Sequence, residues 1–337
     1  MKPKISFIIP AYNASSTIDH CINSIYALPL GEQQFEVIVI DDCSIDNTLE
    51  ILEEYAKIHN NLVLLRQSEN KRQGAARNKG ISIAKGEYTA FVDSDDSIVV
   101  DGFFKALNAV LHSKVDICYF EFEYEMPRGE WHTFKLPTEL YDTILPSEIY
   151  LNDYYTCYYN APWRTLYKTK FLKGCNIAFE EGVRWEDCDW TVKVYAKSTT
   201  IQFVKGIGYR YAYGENATSR QKTNQARYER ILAGVRLMKF SEVCKISGLK
   251  KTLYDEALYS YIHSELRLRN LTKYTYKENV ELFKKLRKKD LSYIAQNTKK
   301  WLSVITRYNC LCRSILFFAC PIAKFGRKLM MFKRILL

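Results

Sequence analysis

The sequence has no apolar run of about 18 residues, so nothing in it reads as a membrane-spanning helix. Proline and glycine are sparse, at 8 and 14 in 337 residues, which excludes low-complexity disorder as its main character. The ten cysteines include no C-x-x-C pair, and no histidine stands close enough to complete a zinc site. The lone C-x-C of Cys310 and Cys312 reads as two small apolar residues of a helix. A secretory leader is not expected either, because Ile5–Ile9 is too short for an h-region and ends at Pro10. Reduced thiols and a cytosolic setting follow as expectations. Acidic residues are missing altogether after Asp290.

That last absence makes the charge lopsided. Residues 239–337 hold 22 Lys and Arg against 7 Asp and Glu, a net of +15 within a chain whose total is +11. An acidic partner is therefore expected for the C-terminal part alone.

What is present along the first hundred residues is alternation. Short runs rich in β-branched residues (Ile5–Ile9, Glu36–Ile40, Leu62–Leu65, Glu87–Val92) are separated by helical patterns. Ser15 or Ser16 is expected to cap the first helix and Asp46 the second, and a third covers Gln73–Lys85. Such alternation predicts βαβ units and a parallel sheet, with ligands at the carboxyl ends of the strands. Beyond residue 100 the reading is a helix over Gly102–Ser113 and a long strand over Val115–Tyr124. Residues 125–165 read as irregular. A helix over Trp185–Ala196 and two short strands, Ile201–Val204 and Gly208–Tyr213, follow, and from Asn224 the pattern is helical. The expected division is a catalytic domain at 1–220 and a basic helical region at 221–337.

The polar residues fall where a parallel sheet binds ligands. Pro10-Ala11-Tyr12-Asn13 closes the first strand, and Tyr12 could line a base pocket or simply belong to a turn. Asp41 and Asp42 close the second, suited to ribose hydroxyls or base N–H groups. Asp93-Ser94-Asp95-Asp96 closes the fourth: acids that repel in a small volume unless a hard divalent cation, Mg²⁺ or Mn²⁺, joins them with substrate phosphates. The other reading of that turn is a solvated helix cap. Arg72, Arg77 and Gly74 open a helix, a favourable place for a diphosphate or else simply a solvated helical face. A second acidic cluster, Glu180, Glu181, Glu186, Asp187 and Asp189, could supply a base to deprotonate an acceptor hydroxyl or could decorate a helix N-terminus. Trp163 could stack on an acceptor sugar or sit in the core.

Four segments in register resemble the inverting glycosyltransferases of family 2: S-F-I-I-P-A-Y-N, V-I-V-I-D-D-C-S-I-D-N-T, G-A-A-R-N-K-G-I and G-E-Y-T-A-F-V-D-S-D-D. The resemblance runs over about residues 4–215. It implies a GT-A fold, an α/β Rossmann-like and mostly parallel sheet flanked by helices, followed here by an α-helical C-terminal region. It also implies metal-dependent transfer of one sugar from a nucleotide-sugar donor, most often a UDP-sugar, to a glycan or lipid-linked acceptor of surface polysaccharide synthesis. By the same resemblance Asp42 contacts the base beside Tyr12 and Pro10, with Asp41 its neighbour, and Arg77 lies near the diphosphate. Asp93 sits near the ribose, Asp95 binds the metal, and Asp187 of the Glu186-Asp187 pair is the general base. Ala161–Tyr167 resembles an acceptor-side stretch, so Trp163 and Glu186 are assigned there, although Arg164 departs from the usual small residue and lysine. The Q-x-x-R-W motif of processive synthases is missing, so one sugar per encounter is implied.

Two rivals are weaker. A sugar-phosphate nucleotidyltransferase should carry a glycine-rich loop after its first strand, and Pro10–Asn13 has no glycine. A degenerate, non-catalytic subunit would have no reason to keep all the acids. The tail Cys310–Leu337 interleaves Lys324, Arg327, Lys328, Lys333 and Arg334 with large apolar residues. That suits an interfacial helix on anionic lipid, on the cytoplasmic leaflet, better than a nucleic-acid arm, or else a helix packed on the domain.

Overall fold

The computed structural model describes residues 2–156, 161–214, 223–257 and 260–261. The expected tail at 310–337, and most of the region from 221 onwards, lies outside them. The chain begins with β1 (Ile5–Ala11), α1 (Ile18–Tyr26), β2 (Phe35–Asp41), α2 (Thr48–Ile58), β3 (Leu62–Arg66), α3 (Arg72–Ile83) and β4 (Tyr88–Phe91). Next come β5 (Ser97–Ile98), α4 (Val100–Ser113), β6 (Ile117–Glu125), β7 (Trp131–Phe134), β8 (Ile144–Pro146) and α5 (Ser147–Asp153). The chain continues through β9 (Thr165–Lys168), α6 (Thr169–Gly174), α7 (Asp187–Tyr195), β10 (Thr200–Tyr211), α8 (Asn224–Val243) and α9 (Ser247–Glu256).

One sheet organises the molecule, in the order β3-β2-β1-β4-β9-β6-β10-β5, with β7 on β6 and β8 on β10. Strands β1 to β4 are parallel, as are β6 and β10. Strand β9 runs antiparallel to both β4 and β6, so it joins the two parallel groups with their carboxyl ends at the same edge. The near-continuous burial of β1 and β2 explains their unalternating runs, since strands covered on both faces need apolar residues throughout. Odd residues of β6 and β4, Tyr119 and Phe91 among them, pack on the side of α7. Even residues such as Phe120, Phe122 and Val92 pack on the side of α1 and α4.

Several boundaries differ from the expected ones, each for a local reason. The first helix has Thr17 at its cap position, not Ser15 or Ser16, and Thr17 Oγ1 turns back to Ala14 O at 3.3 Å instead of capping, while Ser15 N–H is held by Asp46 Oδ2 at 3.1 Å. The second begins at Thr48 with Asn47 at its cap position. Asp46 still satisfies a first-turn donor, accepting from Thr48 N–H at 3.1 Å. The two short strands expected after residue 200 are one strand, β10, bulged between Val204 and Tyr209, with Gly206 at φ 147°. The bulge meets Gly102 of α4, where any Cβ would overlap the Ile207 backbone carbonyl, so helix and strand touch through bare backbone. Residues 125–165 are not irregular throughout. They hold β7, paired with β6, β8, paired with β10, and the helix α5.

Candidate functional site

The loops after β1 and β2 form one piece. Asn13, in the left-handed region at φ 50°, donates its N–H to Ser44 Oγ (3.0 Å) and accepts Ile45 N–H on Oδ1 (2.9 Å). Ala14 N–H reaches Thr48 Oγ1 at 2.7 Å. Tyr12 projects from this piece with 45% of its surface exposed. Pro10 does not lie in the loop as expected; it is a buried residue of β1, opposite Ile40.

Neighbouring acids on a strand point to opposite faces, and the two after β2 part accordingly. Asp41 is fully buried, accepts Ser44 N–H on both oxygens at 3.3 Å and pairs with Arg66 Nε at 3.4 Å, which occupies it in the turn. Asp42 accepts from Gln67 Nε2 (2.7 Å) and Lys71 N–H (2.8 Å) on one oxygen, Oδ1. Burial pushes the Asp42 carboxyl above its ordinary value, against the N–H bonds of Lys71 and Arg72 that favour its charged form.

Arg77 is the hinge of the constellation, in a place the sequence does not foretell. It was expected beside a diphosphate. Its guanidinium donates to Asp93 Oδ1 (2.6 Å) and to Glu186 Oε1 (2.5 Å), with only 4% of the side chain exposed and the Phe179 ring 5.5 Å away. Burial works to lower its pKa, and the charges of Asp93, Glu186 and Asp187 outweigh that and raise it. Through this one side chain the end of β4 and the start of α7, 93 residues apart, are fixed to each other. Glu186, expected on the acceptor side, is buried against Arg77 and Gln73 Nε2 (3.2 Å), so its partner is the arginine.

The next residue, Asp187, opens α7. Burial first, and the Glu186 charge second, push its carboxyl up to about 8, while Arg77 pulls it down. Trp185, just before the pair, holds a φ of 62°, an uncommon and strained conformation for a bulky residue. The strain is held from α8: Arg236 Nη2 donates to Trp185 O (2.8 Å) and the Arg230 guanidinium lies 5.1 Å from the indole centre. The remaining acids of the expected second cluster serve elsewhere. Asp189 pairs with Lys193 (2.5 Å) and Arg236 (2.8 Å), and Glu181 accepts from Asn78 (3.0 Å).

The Asp93–Asp96 turn is braced by a residue that sequence reasoning missed. Tyr209 of β10 accepts Asp93 N–H on its hydroxyl (3.0 Å) and donates to Asp96 Oδ2 (2.8 Å). Asp96 also accepts Ala212 N–H at 2.8 Å, and burial with the charges of Asp95 and Asp93 pushes its carboxyl well up. Asp96 is thus a buried anchor, whereas Asp95 stands exposed at the tip of the turn. Among the described residues no three His, Cys, Asp or Glu side chains converge as a ready-made metal nest. Glu229 was missed too; it gathers Arg184 (3.2 Å) and Arg72 (3.5 Å) beside the start of α3.

Trp163 has to be corrected. Expected to stack on a sugar, it is 6% exposed, stacked on Tyr209 (4.6 Å, 8°) and Tyr211 (5.5 Å, 11°), with Phe122 edge-on. It supports Tyr209 from within the core. Arg164 is buried as well, its guanidinium 4.8 Å from the Phe134 ring centre and 5.1 Å from that of Tyr119.

Residues 6–175 match the family model described as Glycosyl transferase family 2, half of the chain. The chain belongs to that family. Family 2 relatives include the poly(ribitol-phosphate) beta-glucosyltransferase of Bacillus spizizenii, 31% identical over 210 residues, which are 62% of this chain and 32% of that protein. The Staphylococcus aureus poly(ribitol-phosphate) beta-N-acetylglucosaminyltransferase TarS is 30% identical over 67% of this chain and 39% of its own. The chain therefore spans about a third to two-fifths of the length of these relatives. The crystal structure of S. aureus TarS 1-349 in complex with UDP-GlcNAc superposes with a TM-score of 0.63 at 23% identity, covering 86% of this chain and 83% of that one. This family 2 chain accordingly has the GT-A fold, as its four sequence segments imply.

Proposed function

We propose that this family 2 chain moves one sugar from a nucleotide-sugar donor, a UDP-sugar before others, to a glycan or lipid-linked acceptor of a cell-surface polymer. The observation that carries the reading is the Arg77 bridge, which holds the start of α7, and with it Asp187, to the carboxyl end of β4. A TarS structure binds UDP-GlcNAc, and the relatives are named as transferases acting on poly(ribitol-phosphate).

In this reading the base rests on Tyr12 with Asp42 at its edge, and Asp93 and Asp95 face the ribose and diphosphate. The turn fits a divalent cation. Asp95 is exposed at the tip of the turn, and Mg²⁺ or Mn²⁺ typically takes one or two carboxylates with substrate phosphates and water. A mannosyltransferase from Pyrobaculum calidifontis, of similar fold at a TM-score of 0.54 and 17% identity, was solved in complex with GDP-Man and Mn2+. The ion, when bound, offsets the charge that develops on the departing nucleoside diphosphate. Asp187 accepts the proton of the acceptor hydroxyl as that oxygen attacks the anomeric carbon. The carbon–oxygen bond to the diphosphate breaks in the same displacement, and the configuration inverts. Alignment and charge placement supply most of the rate.

A thermal-shift panel of nucleotide sugars with Mn²⁺ or Mg²⁺ tests this directly. The matching donor should raise the melting point by several degrees, at about 2–4 °C per kcal/mol of linked binding. Asp95→Ala should keep the shift from nucleotide alone and lose the metal-dependent part; an unchanged metal-dependent shift would remove Asp95 from its role.

No helix among the described residues is long and apolar enough to cross a membrane. We further propose that the basic, apolar stretch Cys310–Leu337 docks the enzyme on the inner face of the membrane, beside its acceptor. Protein truncated after Tyr308 should stop sedimenting with vesicles containing anionic lipid. Equal sedimentation of the full and truncated chains would count against the tail.

A further inference from the structure

Strand β6 has two edges. Strand β10 covers one of them from Ile117 to Tyr124. The other edge is shared: β9 pairs with Ile117–Tyr119, and β7 pairs with Phe122–Glu125 further along. Strand β9 itself bridges to β4 at Tyr88–Ala90. Strand β7 therefore continues the lane of β9 towards the carboxyl edge, on the side of β6 that looks to the end of β4 and the Asp93–Asp96 turn. At one strand spacing per lane, β6 and β4 are about 10 Å apart.

The pleat decides which residues of β7 belong to the cleft. Asp93 lies on the α7 side of the sheet, since Arg77 ties it to Glu186. On β6 that same side carries Tyr119, Glu121, Glu123 and Glu125. Trp131 is opposite Glu125, Thr133 is opposite Glu123, and Arg210 of β10 is opposite Glu123 from the other flank. Trp131 thus lies on the sheet face that also carries the start of α7, further along β6 than the level of Asp93.

Trp131 has the surroundings of a recognition group. The residue is 44% exposed, unlike Trp163 and Trp190, which are buried. The Arg210 guanidinium lies 5.6 Å from its ring centre and is itself held by Glu123 Oε2 at 3.0 Å. Glu125, the cross-strand neighbour, accepts Tyr213 N–H at 2.9 Å. The hairpin tip is tied by Gly129 N–H to Met126 O (2.8 Å) and Met126 N–H to Glu130 O (2.8 Å), so the indole stands on a braced element. An exposed indole ringed by carboxylates and a guanidinium matches a pyranose. The ring covers the apolar C–H face, and the charged groups accept from and donate to the equatorial hydroxyls. A protein partner's apolar side chain would meet two carboxylates and an arginine there, which disfavours it.

We propose that Trp131, backed by Arg210, is the platform on which the acceptor's terminal pyranose stacks. This rests on the transferase reading above and adds a residue that the family's sequence segments do not reach.

The test uses the full chain with UDP and Mg²⁺ present, and three probes: methyl β-D-glucopyranoside, methyl β-D-galactopyranoside and methyl N-acetyl-β-D-glucosaminide. Saturation-transfer NMR should show the pyranose C–H protons of at least one probe saturated by the wild type. Trp131→Phe should keep that signal and Trp131→Ala should cut it about tenfold. Donor binding by thermal shift and acceptor-free donor hydrolysis should be equal in all three proteins. No pyranose signal from the wild type, or equal signals from wild type and Trp131→Ala, overturns the platform. A change of oligomeric state in Trp131→Ala overturns it in favour of self-association. Loss of donor binding in Trp131→Ala overturns it in favour of a structural role. Failure of the wild type to bind or hydrolyse any nucleotide sugar strikes the transferase reading instead.

Discussion

Asp187→Asn is expected to lower kcat by about three orders of magnitude while leaving nucleotide-sugar binding near that of the wild type. Asparagine keeps the size and the hydrogen bonds but accepts no proton. The carboxyl it replaces is raised to about 8 from an ordinary 3.8, by burial before all and then by the Glu186 charge. A base acts in its ionised form. The wild-type kcat/KM should therefore climb with pH and level off above about 8, and the residual activity of Asp187→Asn should lack that limb. The same shift predicts stability with the opposite sign. A carboxyl with a raised folded pKa holds its proton more tightly folded than unfolded, so each pH step from 3.8 to about 8 costs the native state. The variant escapes that cost and should melt no lower than the wild type at pH 8. Wild-type kcat, or a retained limb, would move the base elsewhere.

Arg77→Met should be the most destabilising single change at the site. It strands the carboxylates of Asp93 and Glu186, and removing one partner of a buried pair costs about 3–5 kcal/mol. The orphaned acids can recover part of this by taking up protons. The loss in urea unfolding should accordingly be small near pH 5 and grow towards pH 8. Adding Glu186→Gln should restore part of it, because the second change removes one stranded charge. A loss below about 1 kcal/mol at pH 8 would mean that the bridge holds nothing.

Much of this architecture is legible in the chain, because its informative signals are local. Strands β1 to β4 show as unalternating runs, and acids stand where those runs stop. What was not legible depends on pairings distant in sequence. Arg77 reads as a diphosphate ligand from its neighbours, yet its partners include Glu186, 109 residues away. Tyr209 sits mid-strand in a bulge and has no signature until β10 brings its hydroxyl to Asp93 and Asp96. The lane shared by β9 and β7 cannot be seen either, since each is four residues long and borrows its hydrogen bonds from β6. Trp163 shows the reverse. An aromatic after a proline in an apparently loose stretch leaves sugar stacking and core packing both open, and the sheet closes over it.

The bonds that join Asn13 to Ser44 and Ile45, Ala14 to Thr48 and Ser15 to Asp46 have an inheritance consequence. The two segments that would cradle the nucleotide base are mutually templated, so neither can change length or backbone course while the other stays fixed. A changed base preference is then expected to need paired exchange of residues 12–17 and 43–48. An engineer seeking to alter it should transplant both together.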